Sequence, residues 1–317
     1  MRWKKLGKVF DPSEHRLLGG TSGYAQSPQA LVFDDFVRVY FSTREKDQTG
    51  KFLSNVAFAD FDKAFTKVLN TSTRSVISRG GLGCFDEHGI FPFNVLRHGG
   101  KVLGYTTGWN RRVSVSTDAA IGHAVSEDEG LTFNKIGLGP VLSASLHQPC
   151  LVGDAYVRVF GGLFHMWYIF GARWMTEPDG VTPARVYKIA HATSKNGVDW
   201  VPEDQCIIRD VLDTDECQAL PSVIERNGTY HMFFCYRNAT GFRHDPKRAY
   251  RIGYAQSGDL TNWTRNDADL HVFRSSGEWD SDMQCYPHVF EMDADIYLLY
   301  NGNEFGRFGF GLAVLEN

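Results

Sequence analysis

Apolar and polar residues alternate along this chain in short runs closed by turn residues, and the runs recur in a fixed order. The order is plainest between Glu216 and Trp263. An apolar run follows Pro221 (Ser222, Val223, Ile224). A turn at Arg226-Asn227-Gly228 leads to an aromatic run, Tyr230 to Tyr236. A third run covers Tyr250 to Ala255, and a Ser257-Gly258-Asp259 turn points to Trp263. Runs of this length, rich in β-branched and aromatic residues and bounded by Gly, Asn and Asp, predict antiparallel strands, four to a unit.

The unit recurs five times. Pro28, Pro92, Pro149, Pro221 and Pro287 open it, at intervals of 64, 57, 72 and 66 residues. Each proline precedes an apolar strand, and each apolar strand precedes an aromatic one: Val37 to Phe41, Val102 to Tyr105, Phe164 to Phe170, Tyr230 to Tyr236 and Ile296 to Tyr300. Third strands also match, as in Ile121-Gly122-His123-Ala124, Ile189-Ala190-His191-Ala192, Ile252-Gly253-Tyr254-Ala255 and Phe310-Gly311-Leu312-Ala313. Turns at Ser126-Glu127-Asp128, Ser194-Lys195-Asn196 and Ser257-Gly258-Asp259 are followed by Phe133, Trp200 and Trp263. This periodicity predicts an all-β chain: a five-bladed β-propeller with four antiparallel strands per blade. The fifth unit lacks its last strand. The N-terminal run, with Trp3 in the place of Trp200 and Trp263, is expected to supply it and close the ring, which removes the open strand edges.

Composition fits one propeller domain over residues 1–317. The chain is 43 % hydrophobic and 14 % aromatic, enough for a core. A net charge of −4 gives no basic face for nucleic acid. No run approaches the ~18 apolar residues of a membrane span. Met1-Arg2-Trp3-Lys4-Lys5 has no apolar stretch behind it, so a cytoplasmic protein with reduced cysteines is expected.

In a propeller the loops entering the inner strands crowd one end of the central channel. Residues before each repeat proline therefore converge although they are distant in sequence. They include Gln26, then Asp86, Glu87 and His88, then His147, then Glu216, and last Asp282 and Tyr286. A second ring is expected from the ends of the second strands: Arg44, Trp109, Arg173, Arg237, Asn301 and Asn303. Trp offers a flat apolar face to a sugar ring and Arg a planar fork to an anionic group. Each residue also has a plain structural use, in turns or surface ion pairs. The set is singled out because the ring would concentrate it.

The five-unit pattern, the strands after proline and the Ser-x-Asp/Asn turns followed by Trp resemble the five-bladed β-propeller glycoside hydrolases and phosphorylases of families 32, 43, 68, 117 and 130. Tyr286-Pro287-His288-Val289 and Tyr300-Asn301-Gly302-Asn303 resemble a bacterial glycosidase-like subgroup of them. The resemblance implies action on a glycosidic bond of an oligo- or polysaccharide. It does not carry over residue by residue. Family 43 places an Asp base before the first inner strand, where this chain has Gln26-Ser27-Pro28. His147-Gln148 stands where that family has its Glu acid. Glu216-Cys217 is similar to a family 32 motif but lies one unit later.

The acid–base set read from the sequence is Glu216 as acid and Asp86 or Glu87 as base, with Asp282 tuning the acid or holding hydroxyls. His88 and His147 are alternative proton carriers. Arg173 and Arg237 would anchor an anionic group. On this reading Glu216→Gln abolishes turnover and leaves the fold intact. No cofactor is expected; the resemblance implies one alternative, an axial calcium beside His288. The other classes kept open are a non-catalytic glycan-binding propeller, and a phosphorylase or transferase on the same scaffold.

Overall fold

The computed structural model describes residues 1–18, 23–270 and 274–316. Its strands form five four-stranded antiparallel units. Three are separate sheets, and two are joined by a single bridge between Ser54 and Gly89. Their inner strands are Gln26–Val32, Gly89–His98, Val152–Phe160, Glu216–Arg226 and Cys285–Met292, and we number the blades 1 to 5 in that order. Each inner strand touches the next, and the fifth touches the first, so the ring is closed. The outer strand of blade 5 is Trp3–Phe10, paired antiparallel with Phe310–Leu315 as the sequence predicts. The fold is a β-propeller.

Five apolar clusters hold it together, one at each junction between neighbouring blades. The repeated aromatics act there. Phe133 of blade 2 packs edge-on against Tyr40 of blade 1, Trp200 against Tyr105, Trp263 against Trp167 and Trp3 against Phe233. Each thus sits on the second strand of the preceding blade. Tyr40 OH donates to the Gly130 carbonyl at 2.7 Å, and Gly130 has φ +80°. A side chain at Gly130 would be strained by that backbone and would meet the Tyr40 hydroxyl.

Polar groups complete the hub. Asn94 Nδ2 donates to Gln29 Oε1 at 2.9 Å, joining blades 2 and 1, and Asn94 Oδ1 accepts from Val157 N at 2.9 Å, joining blades 2 and 3. Tyr156 OH donates to the Val223 carbonyl at 3.0 Å, and Val289 N to Ser222 Oγ at 2.9 Å. Ser27 N donates to Asn301 Oδ1 at 2.8 Å, joining blade 1 to blade 5.

One register differs from the sequence reading. Four of the prolines, Pro28, Pro92, Pro221 and Pro287, do not open the inner strands but sit within them, at a bulge, and Pro149 lies before its strand. All five inner strands skip register at the same place: between Gln26 and Gln29, Ile90 and Phe93, Gly153 and Tyr156, Ala219 and Ser222, and Cys285 and His288. The third bulge holds Asp154-Ala155, so Ala155, not Pro149, is equivalent to the four prolines. The spacing becomes 64, 63, 66 and 66 residues. Ser27, Asp154, Leu220 and Tyr286 precede those positions with φ of +54°, +54°, +49° and +58°. Left-handed backbone at such residues costs on the order of 1–3 kcal/mol each and clusters at active sites and ligand clamps.

Candidate functional site

The inner strands enter and the second strands leave at the same end of the ring, as the pairs Gln26–Ser42, Gly89–Trp109, Cys217–Arg237 and Cys285–Asn301 require. This end is the mouth. Several expected residues do meet there. Arg44 Nε donates to Gln26 Oε1 at 2.7 Å, and Gln26 Nε2 donates to the Phe305 carbonyl at 2.7 Å. Arg44 lies over the Tyr24 ring at 4.8 Å and within electrostatic reach of Tyr286. Tyr286 is buried between Phe91 and Tyr250, at 5.5 and 5.8 Å. Arg237 is buried, and its Nη2 donates to Tyr187 OH at 2.8 Å. Tyr187 and Tyr250 share a further hydrogen bond between their hydroxyls. Burial, first of all, pushes the pKa of both phenols up.

The expected acids have other employment. Glu216 is fully buried. Oε2 accepts from the amides of Val211 and Leu212, both at 3.0 Å; Oε1 accepts from Gln218 Nε2 at 3.1 Å and Arg265 Nη1 at 2.5 Å. Every partner is a donor, so Glu216 is a structural acceptor inside blade 4. Asp86 is fully buried and ion-paired with Lys135, with Oδ1 left without a partner. Glu87 is half-buried and accepts from the Gly83 amide at 3.0 Å. Asp282 is exposed, with Ser281 Oγ donating to it at 3.2 Å. His147 is exposed in a turn. His88 stacks on Trp109 at 6.0 Å; burial, then the Arg111 charge, pushes its pKa down.

The other expected ligands divide similarly. Arg173 is exposed and pairs with Asp215. Asn301 is a ring-closing clamp: besides accepting from Ser27 it donates to the carbonyls of Ala25 and Gly309, both at 2.8 Å. Asn303 Oδ1 accepts from the amides of Asp282 and Met283, at 2.9 and 3.2 Å. His288 is fully buried with neither ring nitrogen hydrogen-bonded to a side chain, and burial pushes its pKa well below 6.5. Tyr156 and Phe290 flank it, at 6.1 and 5.9 Å. Among the described residues no three His, Cys, Asp or Glu side chains form a metal-ligating group. One imidazole between aromatic rings does not fit calcium, which takes six to eight oxygens.

The carboxyl that the sequence reading missed is Asp154, at the bulge of blade 3. Its backbone amide donates to Thr107 Oγ1 at 2.7 Å. Its side chain is buried and lies beside the Leu220 amide, in reach of the Arg185 charge. Burial raises its pKa from 3.8 to about 7, against the opposing pull of Arg185 and the amide. It is the one carboxylate among the five bulge positions. Spacing could have found it: the inner strands recur every 63 to 66 residues once Ala155 is accepted in a proline's place.

Arg185 leads outward into a cavity of about 450 Å³, walled by the hairpin that carries Trp174 and Glu177 and by the loop that carries Phe242, Arg243 and His244. Arg237 forms part of its floor. None of the six acid and histidine candidates lines it.

The chain is 33 % identical over 323 residues to the uncharacterised protein MT1551 of Mycobacterium tuberculosis strain CDC 1551 / Oshkosh, covering all of both sequences. The same holds for the uncharacterised protein Rv1502 of strain H37Rv. The chain belongs to the MT1551 family. No protein-family profile matches it. In fold, the family shares the propeller of the glycoside hydrolases. BT0996, in an RGII complex, superposes with TM-score 0.73 at 15 % identity, over 99 % of this chain and 92 % of that one. The β-1,2-mannobiose phosphorylase of Listeria innocua, in complex with β-1,2-mannobiose, gives 0.70 at 10 % identity, over 100 % and 97 %. A thermostable family-43 glycoside hydrolase gives 0.62 at 13 %, over 94 % and 89 %. At these identities the likeness is one of fold.

Proposed function

We propose that this protein is a carbohydrate-active enzyme that cleaves a glycosidic bond at the mouth of the propeller, with Asp154 as the proton donor. One observation carries the reading: the Asp154 carboxyl is buried at the blade 3 bulge, and burial raises its pKa to about 7 despite the nearby Arg185. A carboxylic acid that still holds its proton near neutrality is what a leaving glycosidic oxygen needs. The Asp154 proton passes to that oxygen as the C1–O bond breaks and its electron pair goes to the leaving group. A nucleophile then bonds to C1. If it is water, its proton is lost and Asp154 is reprotonated from solvent. If it is a phosphate oxygen, no base is required. Gln26, Arg44 and Tyr286 would frame the sugar on the blade 1 and blade 5 side.

The fold supports the class of substrate, since the superposed proteins include glycoside hydrolases and a mannobiose phosphorylase. A second reading, a glycan-binding propeller without catalysis, is favoured by the ion pairing of Asp86 and Glu216. A panel of aryl glycosides and oligosaccharides, with and without inorganic phosphate, separates the two. The enzyme reading expects turnover that drops at least a hundredfold in Asp154→Asn. Unchanged turnover in that variant would remove Asp154 from the reaction, and saturable glycan binding without any turnover would favour the binder.

A further inference from the structure

Three guanidinium groups meet at the cavity, and one of them, Arg185, is within electrostatic reach of Asp154, which does not itself line the cavity. Arg237 comes from the end of the second strand of blade 4, Arg185 from the third strand of blade 3, and Arg243 from the loop after Arg237. Arg237 is buried, Arg185 half-buried and Arg243 exposed on the cavity wall. Partial loss of water around Arg243 pushes its pKa down, and the like charges of Arg237 and Arg185 push the same way. Among the described residues none of the three has an ion-pair partner. Arg237 is held by neutral groups: the Asn238 and Ala239 carbonyls at 2.7 and 3.1 Å, the Tyr187 hydroxyl at 2.8 Å, and the face of the Phe242 ring at 3.5 Å. Its Nε is buried without a partner. The two carboxylates on the cavity wall face other donors. Glu177 Oε2 accepts from the Gly241 amide at 2.9 Å, and Asp179 accepts from the amides of Val181 and Thr182 at 2.9 and 2.8 Å.

Buried positive charge without a counter-ion is costly. Arg237 is such a charge, two more stand at the same cavity, and one oxyanion relieves all three. We propose that Arg185, Arg237 and Arg243 form an anion subsite that selects a saccharide carrying a carboxylate or phosphate group. The subsite deepens the proposed function and rests on it for the saccharide. Guanidinium forks match both oxyanions in a bidentate manner. Trp174, which also lines the cavity, supplies an apolar face for the ring that carries the charge. The same chemistry would hold inorganic phosphate as a co-reactant, so the source of the oxyanion is an arm of the test.

The test is calorimetric binding to the full chain at low ionic strength. The probes are galacturonate and glucuronate oligosaccharides, their neutral parents, glucose 6-phosphate, glucose and inorganic phosphate. At least one charged sugar is expected to bind ten times or more tighter than its neutral parent. Arg185→Gln and Arg243→Gln, at less buried positions than Arg237, are expected to remove most of that preference with unchanged circular dichroism. Tight binding of inorganic phosphate with no preference between charged and neutral sugars would overturn substrate selection, as would equal binding of all probes or a preference kept by both variants. Asp154→Asn keeps the preference if the subsite is right, whether or not Asp154 is the proton donor, so the two ideas fail separately.

Discussion

Arg265 and Glu216 meet inside blade 4 at 2.5 Å, with 2 % and 0 % of their side-chain surface exposed. The same brace recurs in two other blades, as Asp86 with Lys135 and Asp280 with Lys5. In each, the acid precedes the inner-strand bulge and the base stands on the outer strand. The bases pair across to equivalent alanines: Arg265 to Ala255, Lys135 to Ala124, Lys5 to Ala313. Asp86 and Glu216, two of the acids expected at the mouth, are claimed by their own blades.

Glu216→Gln is therefore expected to act on stability and not on chemistry. It leaves Arg265 buried beside Asp267 alone, at 2.8 Å. Breaking a buried pair by changing one partner costs roughly 3–5 kcal/mol, and the retained Asp267 contact puts this case at the low end. Chemical denaturation should give a loss of about 3 kcal/mol. Specific activity per folded molecule, on whichever glycan the screen identifies, should stay within a few-fold of wild type. A hundredfold loss with unchanged stability would restore Glu216 to the reaction.

Asp154→Asn should do the reverse. Asn keeps the shape and cannot give a proton. General acid catalysis contributes about 10²–10⁴-fold, and turnover should fall by that much while the denaturation midpoint does not drop. The decisive readout is the leaving group. Aryl glycosides whose phenols need no protonation should lose far less than oligosaccharides.

The propeller was legible in the sequence because its junctions repeat. Phe133, Trp200, Trp263 and Trp3 do the same job at four junctions, so they recur in kind and in place within the unit. The site was less legible for two physical reasons. Blade 3 makes its bulge with Asp154-Ala155, where the other blades use proline, and anchoring that blade on Pro149 hid the one acid of interest. The pairing of Asp86, Glu216 and Asp280 depends on which outer-strand residue faces inward, and that register is not written in any local pattern. Arg237 and Tyr286 were visible because they flank strand ends. Arg185 and Arg243 were not: Arg185 lies on the third strand of blade 3 ahead of the Ile189-Ala190-His191-Ala192 run that marks the repeat, and Arg243 lies in a loop that the repeat does not contain.

Ring closure gives a third expectation. Trp3 is buried, edge-on to Phe233 at 5.5 Å, on the strand that completes blade 5. Removing a large buried aromatic costs roughly 3–5 kcal/mol. Trp3→Ala should lower stability by that amount and loosen the first strand before the rest. Hydrogen exchange should then show the amides of Phe310–Leu315 protected less than those of Leu163–Thr176. Uniform loss of protection across both strands would mean that closure is not a separate weak point.

The raised pKa of Asp154 also links proton uptake to folding. Unfolded, the carboxyl titrates near 3.8; folded, it titrates at about 7. Between those values the folded chain holds a proton that the unfolded chain has released. This contribution to stability is fully present below pH 4 and is lost as pH rises towards 7, by about 1.4 kcal/mol per unit. Above pH 7 both states are ionised and the burial cost stays constant. Asn at 154 bears no charge at any pH. Asp154→Asn should therefore match wild type near pH 4 and exceed it at pH 8 by on the order of 2–4 kcal/mol, as urea denaturation across that range would measure. Turnover of wild type should fall over the upper part of the same interval, since only the protonated acid can donate. A stability difference independent of pH would mean that Asp154 titrates as an ordinary carboxylate, and the proton at the mouth would need another owner.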